Sequence, residues 1–123
     1  MLGYQAGLSI TNAAYNTLIG GFAGDGYDTE SHNTAVGYLA LSGPVAGGEY
    51  NVAVGNYTLD ALTSADFCTV VGYEAGSAVT TGLKATLVGY GAGKVQTTAQ
   101  NTTLVGYNAG VANTAHELSL IHI

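Results

Sequence analysis

Asp25-Gly26-Tyr27-Asp28-Thr29-Glu30-Ser31-His32 holds the densest group of reactive side chains in the 123-residue sequence. Its Asp-x-x-Asp-x-Glu spacing could offer hard carboxylate oxygens to Ca²⁺. The spacing is not that of a helix-loop-helix calcium loop, and the group occurs once, so a solvated turn is the plainer reading. His32 with Asp28 or Ser31 would give a base and a nucleophile. All three fall within one loop, and nothing nearby supplies an oxyanion site. Tyr27, Asp28, His32, Glu49 and Tyr50 lie on variable segments and are candidate receptor contacts, because an exposed phenol ring can stack on a sugar. Tyr15 and Tyr50 share a position with Phe67, which makes packing the other reading for them. No residue is assigned to catalysis, a cofactor or a metal, and the chain reads as a non-enzyme.

Composition narrows the classes. Eight acids against two lysines, Lys84 and Lys94, give a formal net charge of −6. A nucleic-acid partner needs a basic face, so none is expected. No apolar run approaches the roughly 20 residues that cross a bilayer, so no membrane insertion is expected. Val, Ile, Leu and Tyr recur in phase, which argues for an ordered chain. Cys68 is the sole cysteine, which rules out an internal disulfide and suggests a small buried side chain.

The elements that position these residues are repeats. Glycine follows a branched residue at 3, 20, 37, 55, 72, 89 and 106, in steps of 17, 17, 18, 17, 17 and 17. Such a period signals a solenoid. Counting each glycine as zero, position −1 reads Ile19, Val36, Val54, Val71, Val88 and Val105. Position −3 reads Thr17, Thr34, Val52, Thr69, Thr86 and Thr103. Both columns are β-branched and share one face of a strand. They are expected to fill the inside of the coil, so a carboxylate at Val71 should disrupt the rod. Position −2 points the other way and reads Leu18, Ala35, Ala53, Val70, Leu87 and Leu104. A strand apolar on both faces is buried on both, so this middle column is expected to meet neighbouring chains, a homotrimer interface.

Gly20, Gly37, Gly55, Gly72, Gly89 and Gly106 mark a bend or close backbone approach. Position +1 is mostly Tyr, predicting tyrosines stacked from coil to coil. Position +3 is mostly Ala, and position +4 is a second, mostly Gly, bend. The extra residue of the 18-residue step falls within 42–50. The fold class expected is all-β, a single-domain parallel β-solenoid, or β-roll, of about seven 17-residue coils over residues 1–117.

The phrase Asn-Thr-x-Val-Gly-Tyr-x-Ala-Gly resembles the Gly-Tyr-Gln-Ala-Gly type of repeat in bacteriophage tail fibres and related surface proteins. Gly3-Tyr4-Gln5-Ala6-Gly7 is the fullest match. The phrase is also similar to the head repeats of trimeric autotransporter adhesins, left-handed parallel β-rolls whose middle strand residue faces the trimer axis. The likeness covers residues 2 to about 115. This chain differs in its longer period and in carrying Leu18, Val70, Leu87 and Leu104 at the middle position. The resemblance implies a trimeric, non-catalytic module that recognises a host glycan or protein receptor from a virion. The alternative location is the bacterial cell surface, as an adhesin head. A polysaccharide-processing β-helix enzyme is a third reading, disfavoured by two Lys and no Arg. Ice binding by the Thr column is a fourth, disfavoured if that column is core.

Met1-Leu2-Gly3 enters the repeat mid-phrase, as expected of a fragment. Residues 118–123, Leu-Ser-Leu-Ile-His-Ile, are what the bases of a common sequencing-library adapter encode. They are expected to be a non-native scar where the repeat phase is lost, with His122 inside it and His116 near the frayed end.

Overall fold

Each glycine is preceded by three residues that favour a pleated backbone, and in every full repeat those three residues form a strand. The computed structural model describes residues 1–44 and 48–111, and the backbone of 119–121. The strands are β1 (Thr17–Ile19), β2 (Thr34–Val36), β3 (Val52–Val54), β4 (Thr69–Val71), β5 (Thr81–Leu83), β6 (Thr86–Val88), β7 (Thr98–Gln100), β8 (Thr103–Val105) and β9 (Ser119–Ile121). One seven-stranded sheet runs β1-β2-β3-β4-β6-β8-β9, and β5 pairs with β7 in a second. All pairings are parallel. The chain is an all-β solenoid, and five turns separate β1 from β8.

Register follows the glycine phase. Ala35 pairs with Ala53 across the 18-residue step, so the extra residue is absorbed between β2 and β3. Of the loop expected there, 45–47 lie outside the described residues. Ser119–Ile121 pairs with Thr103–Val105, a step of 16 from Thr103 to Ser119. Ser-Leu-Ile offers the same polar–Leu–branched pattern as Thr103-Leu104-Val105, so a strand can form one residue early without the glycine.

The main correction concerns which strand face is inside. Leu18, Ala35, Ala53, Val70, Leu87 and Leu104 have no exposed surface in the single chain. They are the coil's core and do not form an exposed interface. Ile19, Val36, Val54, Val71, Val88 and Val105, expected inside, lie on the outer face: Ile19 is 41% and Val71 is 37% exposed, and the others are half-buried. The Thr column at −3 is outside with them.

Two features fix this choice. The first is position −4, which shares the inward face with −2. Asn33 and Asn51 there are fully buried and bridge successive coils. The second is reciprocal filling of the interior by positions −2 and +4. Where −2 is Leu, as at Leu18, Leu87 and Leu104, +4 is Gly24, Gly93 or Gly110. Where −2 is Ala, as at Ala35 and Ala53, +4 is Leu41 or Leu59, both fully buried. A Cβ on Gly93 would lie 2.8 Å from Leu87 Cδ1. In these five coils one leucine therefore fills the same volume, supplied from one side or the other, and in the Val70/Gly76 coil a valine does. Leu41 and Leu59 occupy left-handed backbone, φ 53° and 52°, at about 1–2 kcal/mol each. Burying a leucine contributes about 1.5–3 kcal/mol, enough to offset that.

The zero-position glycine is required by close approach. Gly37 has φ 137°, and a Cβ there would sit 2.5 Å from the carbonyl oxygen of Gly55 in the next coil. The expected bend is therefore also a place where adjacent backbones approach closely.

Candidate functional surface

With −4 and −2 inward, positions −5, −3, −1 and +1 face outward together and make one side of the rod. Its centre is the Thr column at −3 and the branched column at −1. Its two margins are rows of aromatic rings.

The first row is position −5: Tyr15, His32, Tyr50 and Phe67. Their ring centroids are 4.9, 4.8 and 5.1 Å apart, with interplanar angles of 15°, 6° and 5°. All four residues have left-handed φ, between 57° and 63°, and Lys84 and Asn101, at the same position in the next coils, have φ 60° and 48°. Glycine is the residue expected at such a corner. Bulky residues are held there because stacked backbone amides fix the turn: His32 N–H donates to Ala14 O at 3.1 Å, and Phe67 N–H to Glu49 O at 3.2 Å.

The second row runs Tyr4, Phe22, Tyr38, Tyr57, Tyr73, Tyr90 and Tyr107, with centroids 5.2–5.9 Å apart. The expected tyrosine column at +1 is thus present, with an addition. In the two coils where +1 is Gly21 or Asn56, the aromatic comes from +2 as Phe22 or Tyr57, and the row stays continuous. Asn56 Oδ1 accepts the Tyr38 N–H at 2.8 Å. The signal was in the sequence, as an aromatic displaced by one residue.

An asparagine ladder underlies the first row. Asn16 Oδ1 accepts from Asn33 N–H, Asn33 Oδ1 from Asn51 N–H, and Asn51 Oδ1 from Cys68 N–H, at 2.8, 2.8 and 2.9 Å. Each amide nitrogen also donates to a carbonyl of the next coil, Glu30 O, Gly48 O and Ala65 O. The ladder satisfies buried backbone that would otherwise cost about 1–3 kcal/mol per unpaired group. Asn at −4 was visible in the repeat, but its role appears only once −4 is known to point inward. The ladder ends at Cys68, buried and free, its thiol pushed up chiefly by burial.

The acidic turn resolves into structure. The Glu30 carboxylate is buried and accepts the N–H groups of Asp28 and Thr29 at 3.0 and 3.2 Å. No group of three His, Cys, Asp or Glu within metal-binding reach occurs among the described residues. His32 is not placed against Asp28 or Ser31: its ring stacks in the first row, and Ser31 Oγ accepts the Ala14 N–H at 3.0 Å.

The five candidate receptor contacts do not form one patch. Tyr27 is fully buried, with its hydroxyl unpartnered and its pKa raised by burial and then by Glu30. A ring of that size is a core filler in its coil, so its assignment as a contact is corrected. Tyr50 is exposed at its edge, but both its ring faces are covered by His32 and Phe67. Asp28 is exposed at another corner, where its carbonyl accepts from Thr11 and Asn12. Glu49 lies beside Tyr50 and donates its N–H to Asp66 Oδ1 at 2.8 Å. The ion pair between Lys94 and Glu74 lies against the second row, where Glu74 is hydrogen-bonded to Tyr73.

Comparison with known proteins returns no match to a family model, a curated protein or a solved structure.

Proposed function

We propose that the chain is a non-catalytic, structural and host-recognition module of a phage tail fibre or similar virion appendage, assembled as a homotrimer of left-handed coils, about seven per chain. The observation that supports this reading is the outer side of the rod: an uninterrupted branched sheet face between two aromatic rows, repeated coil after coil. A scaffold of this kind holds variable turns at fixed intervals for contact with a glycan or protein receptor. A scaffold does not name its ligand, so recognition is assigned to the turns between repeats.

The test is binding of the labelled chain to a panel of bacterial envelopes and to their extracted surface polysaccharides. Saturable binding to a subset, with no release of reducing ends, is the expected result. Depolymerisation of any of these polymers would replace this reading with that of an enzyme. The adhesin-head reading uses the same strand motif. The adjoining genes separate the two: tail genes in one case, a membrane-anchor domain in the other.

A further inference from the structure

The outward sheet face is unusual for its charge. Among the described residues the carboxylates are Asp25, Asp28, Glu30, Glu49, Asp60, Asp66 and Glu74, and none falls in the outward columns −5, −3, −1 or +1. In a chain of net charge −6, the nearest acids stand at the margins of these columns: Glu49 and Asp66 beside the first row, and Glu74 hydrogen-bonded to Tyr73 of the second. The cleared side carries the branched column Ile19 to Val105, with Ile19, Val71, Tyr38, Tyr73 and Tyr90 all more than a third exposed.

The first aromatic row does not suit this face to sugars. Sugar stacking needs a free ring face, and in the first row successive rings cover each other's faces at 4.8–5.1 Å. In that row only the ends and the ring edges are open. What the face does offer is a run of Thr and branched apolar side chains with a repeat of ~4.8 Å along the rod, and a second copy of this chain carries the same repeat. Two acidic chains can also meet here without opposing carboxylates.

We propose that this face, bounded by the Tyr15–Phe67 and Tyr4–Tyr107 rows, is where copies of the chain pack against one another. This rests on the appendage reading only for the homo-oligomer. It replaces the middle strand column, which is spent inside the coil, by the −3 and −1 columns. Five turns between β1 and β8 at ~4.8 Å, and six residues from −5 to +1 at ~3.3 Å, give a face of about 500 Å². Two such faces bury about 1,000 Å², the lower bound for a specific interface. Association of this chain is therefore concentration-dependent, and it strengthens with every added coil.

The experiment is sedimentation velocity of the chain across the micromolar range, for the wild type, for Val54→Asp with Val71→Asp, and for Ser64→Asp. Ser64 is exposed and off the face. The expected result is an oligomer for wild type and Ser64→Asp, and a single chain with unchanged circular dichroism for the double variant. Should the double variant fold poorly, Val71→Cys reads the same contact: mild oxidation yields a linked dimer on a non-reducing gel, while wild-type Cys68, being buried, yields none. A wild type that stays monomeric, a folded double variant that stays oligomeric, equal dissociation by Ser64→Asp, or no link through Val71→Cys would each overturn the proposal. So would thermal hysteresis from a monomeric wild type, which would assign the Thr and Val columns to ice. Envelope binding retained by a monomeric chain would sink this inference and the homotrimer with it, and leave the host-recognition reading standing. An intact oligomer that binds no envelope would do the reverse.

Discussion

Val70 and Val71 are neighbours of the same residue type, yet one has no exposed surface and the other is 37% exposed. The same contrast runs along the whole long sheet, between the column of Leu18, Ala35, Ala53, Val70, Leu87 and Leu104 and the column one residue later. The inner column varies in size, Leu to Ala, because position +4 compensates for it. The outer column is Val or Ile throughout, because it lies outside the coil's interior, where no partner sets its volume, and needs strand propensity. Near-identity at a position is therefore not evidence of burial. In a narrow coil, the buried position is the one whose volume covaries with a partner across the interior.

The largest expected effect comes from charging the inner column. Val70→Asp buries an unpaired carboxylate at a cost of several kcal/mol. That is comparable to the whole stability of a domain this size, so β-type circular dichroism should be lost. Next is the reciprocal pair. Ala35→Leu should overpack the coil against Leu41 by about 1–3 kcal/mol. Leu41→Gly should leave a void costing about 2–5 kcal/mol, less the relief of its left-handed φ. The double variant, which copies the Leu18/Gly24 arrangement, should melt close to wild type. Simple addition of the two losses would break the reciprocal account.

Smaller effects sharpen the comparison. Asn33→Ala should cost about 2–4 kcal/mol, since it strands the buried N–H of Asn51 and the carbonyl of Gly48. Val71→Asp, read by thermal melting at dilution, should cost only about 1 kcal/mol, a strand-propensity effect. The smallest effect is electrostatic. Asp60 has a buried, unpartnered Oδ1, and burial raises its pKa above the usual carboxylate range. A carboxylate with a raised folded-state pKa stabilises the fold below its unfolded pKa, and that contribution is lost as pH rises through the folded value. Asp60→Asn should therefore raise the melting point slightly at neutral pH and flatten its fall as pH rises from about 4.

Much of the fold was legible as sequence. The glycine phase placed β1, β2, β3, β4, β6 and β8 and their registers, including the 18-residue step. Strand parity was not legible from the strand alone, because Thr-Leu-Val is apolar on both faces. Asn16, Asn33 and Asn51 carried the missing information, since an amide that bridges coils must point inward. The corners at −5 were hidden for another reason: left-handed φ normally announces itself as glycine, and here the residues are Tyr15, His32, Tyr50 and Phe67.

Beyond Cys68 the corner is built differently. The asparagines give way to Cys68, Ala85 and Thr102, and β5 and β7 pair their backbones nearby. One coil geometry thus accepts a side-chain ladder in its first half and a backbone ladder in its second. Only the first has a sequence signature.

Native-state thiol labelling of Val70→Cys and Val71→Cys, at a dilution that keeps chains apart, tests the assignment of faces most directly. The wild-type Cys68, buried and with a raised thiol pKa, serves as the slow reference. Val71→Cys should react at nearly the rate of a free thiol, while Val70→Cys should react as slowly as Cys68. The reverse order would contradict the account and return the branched column to the interior.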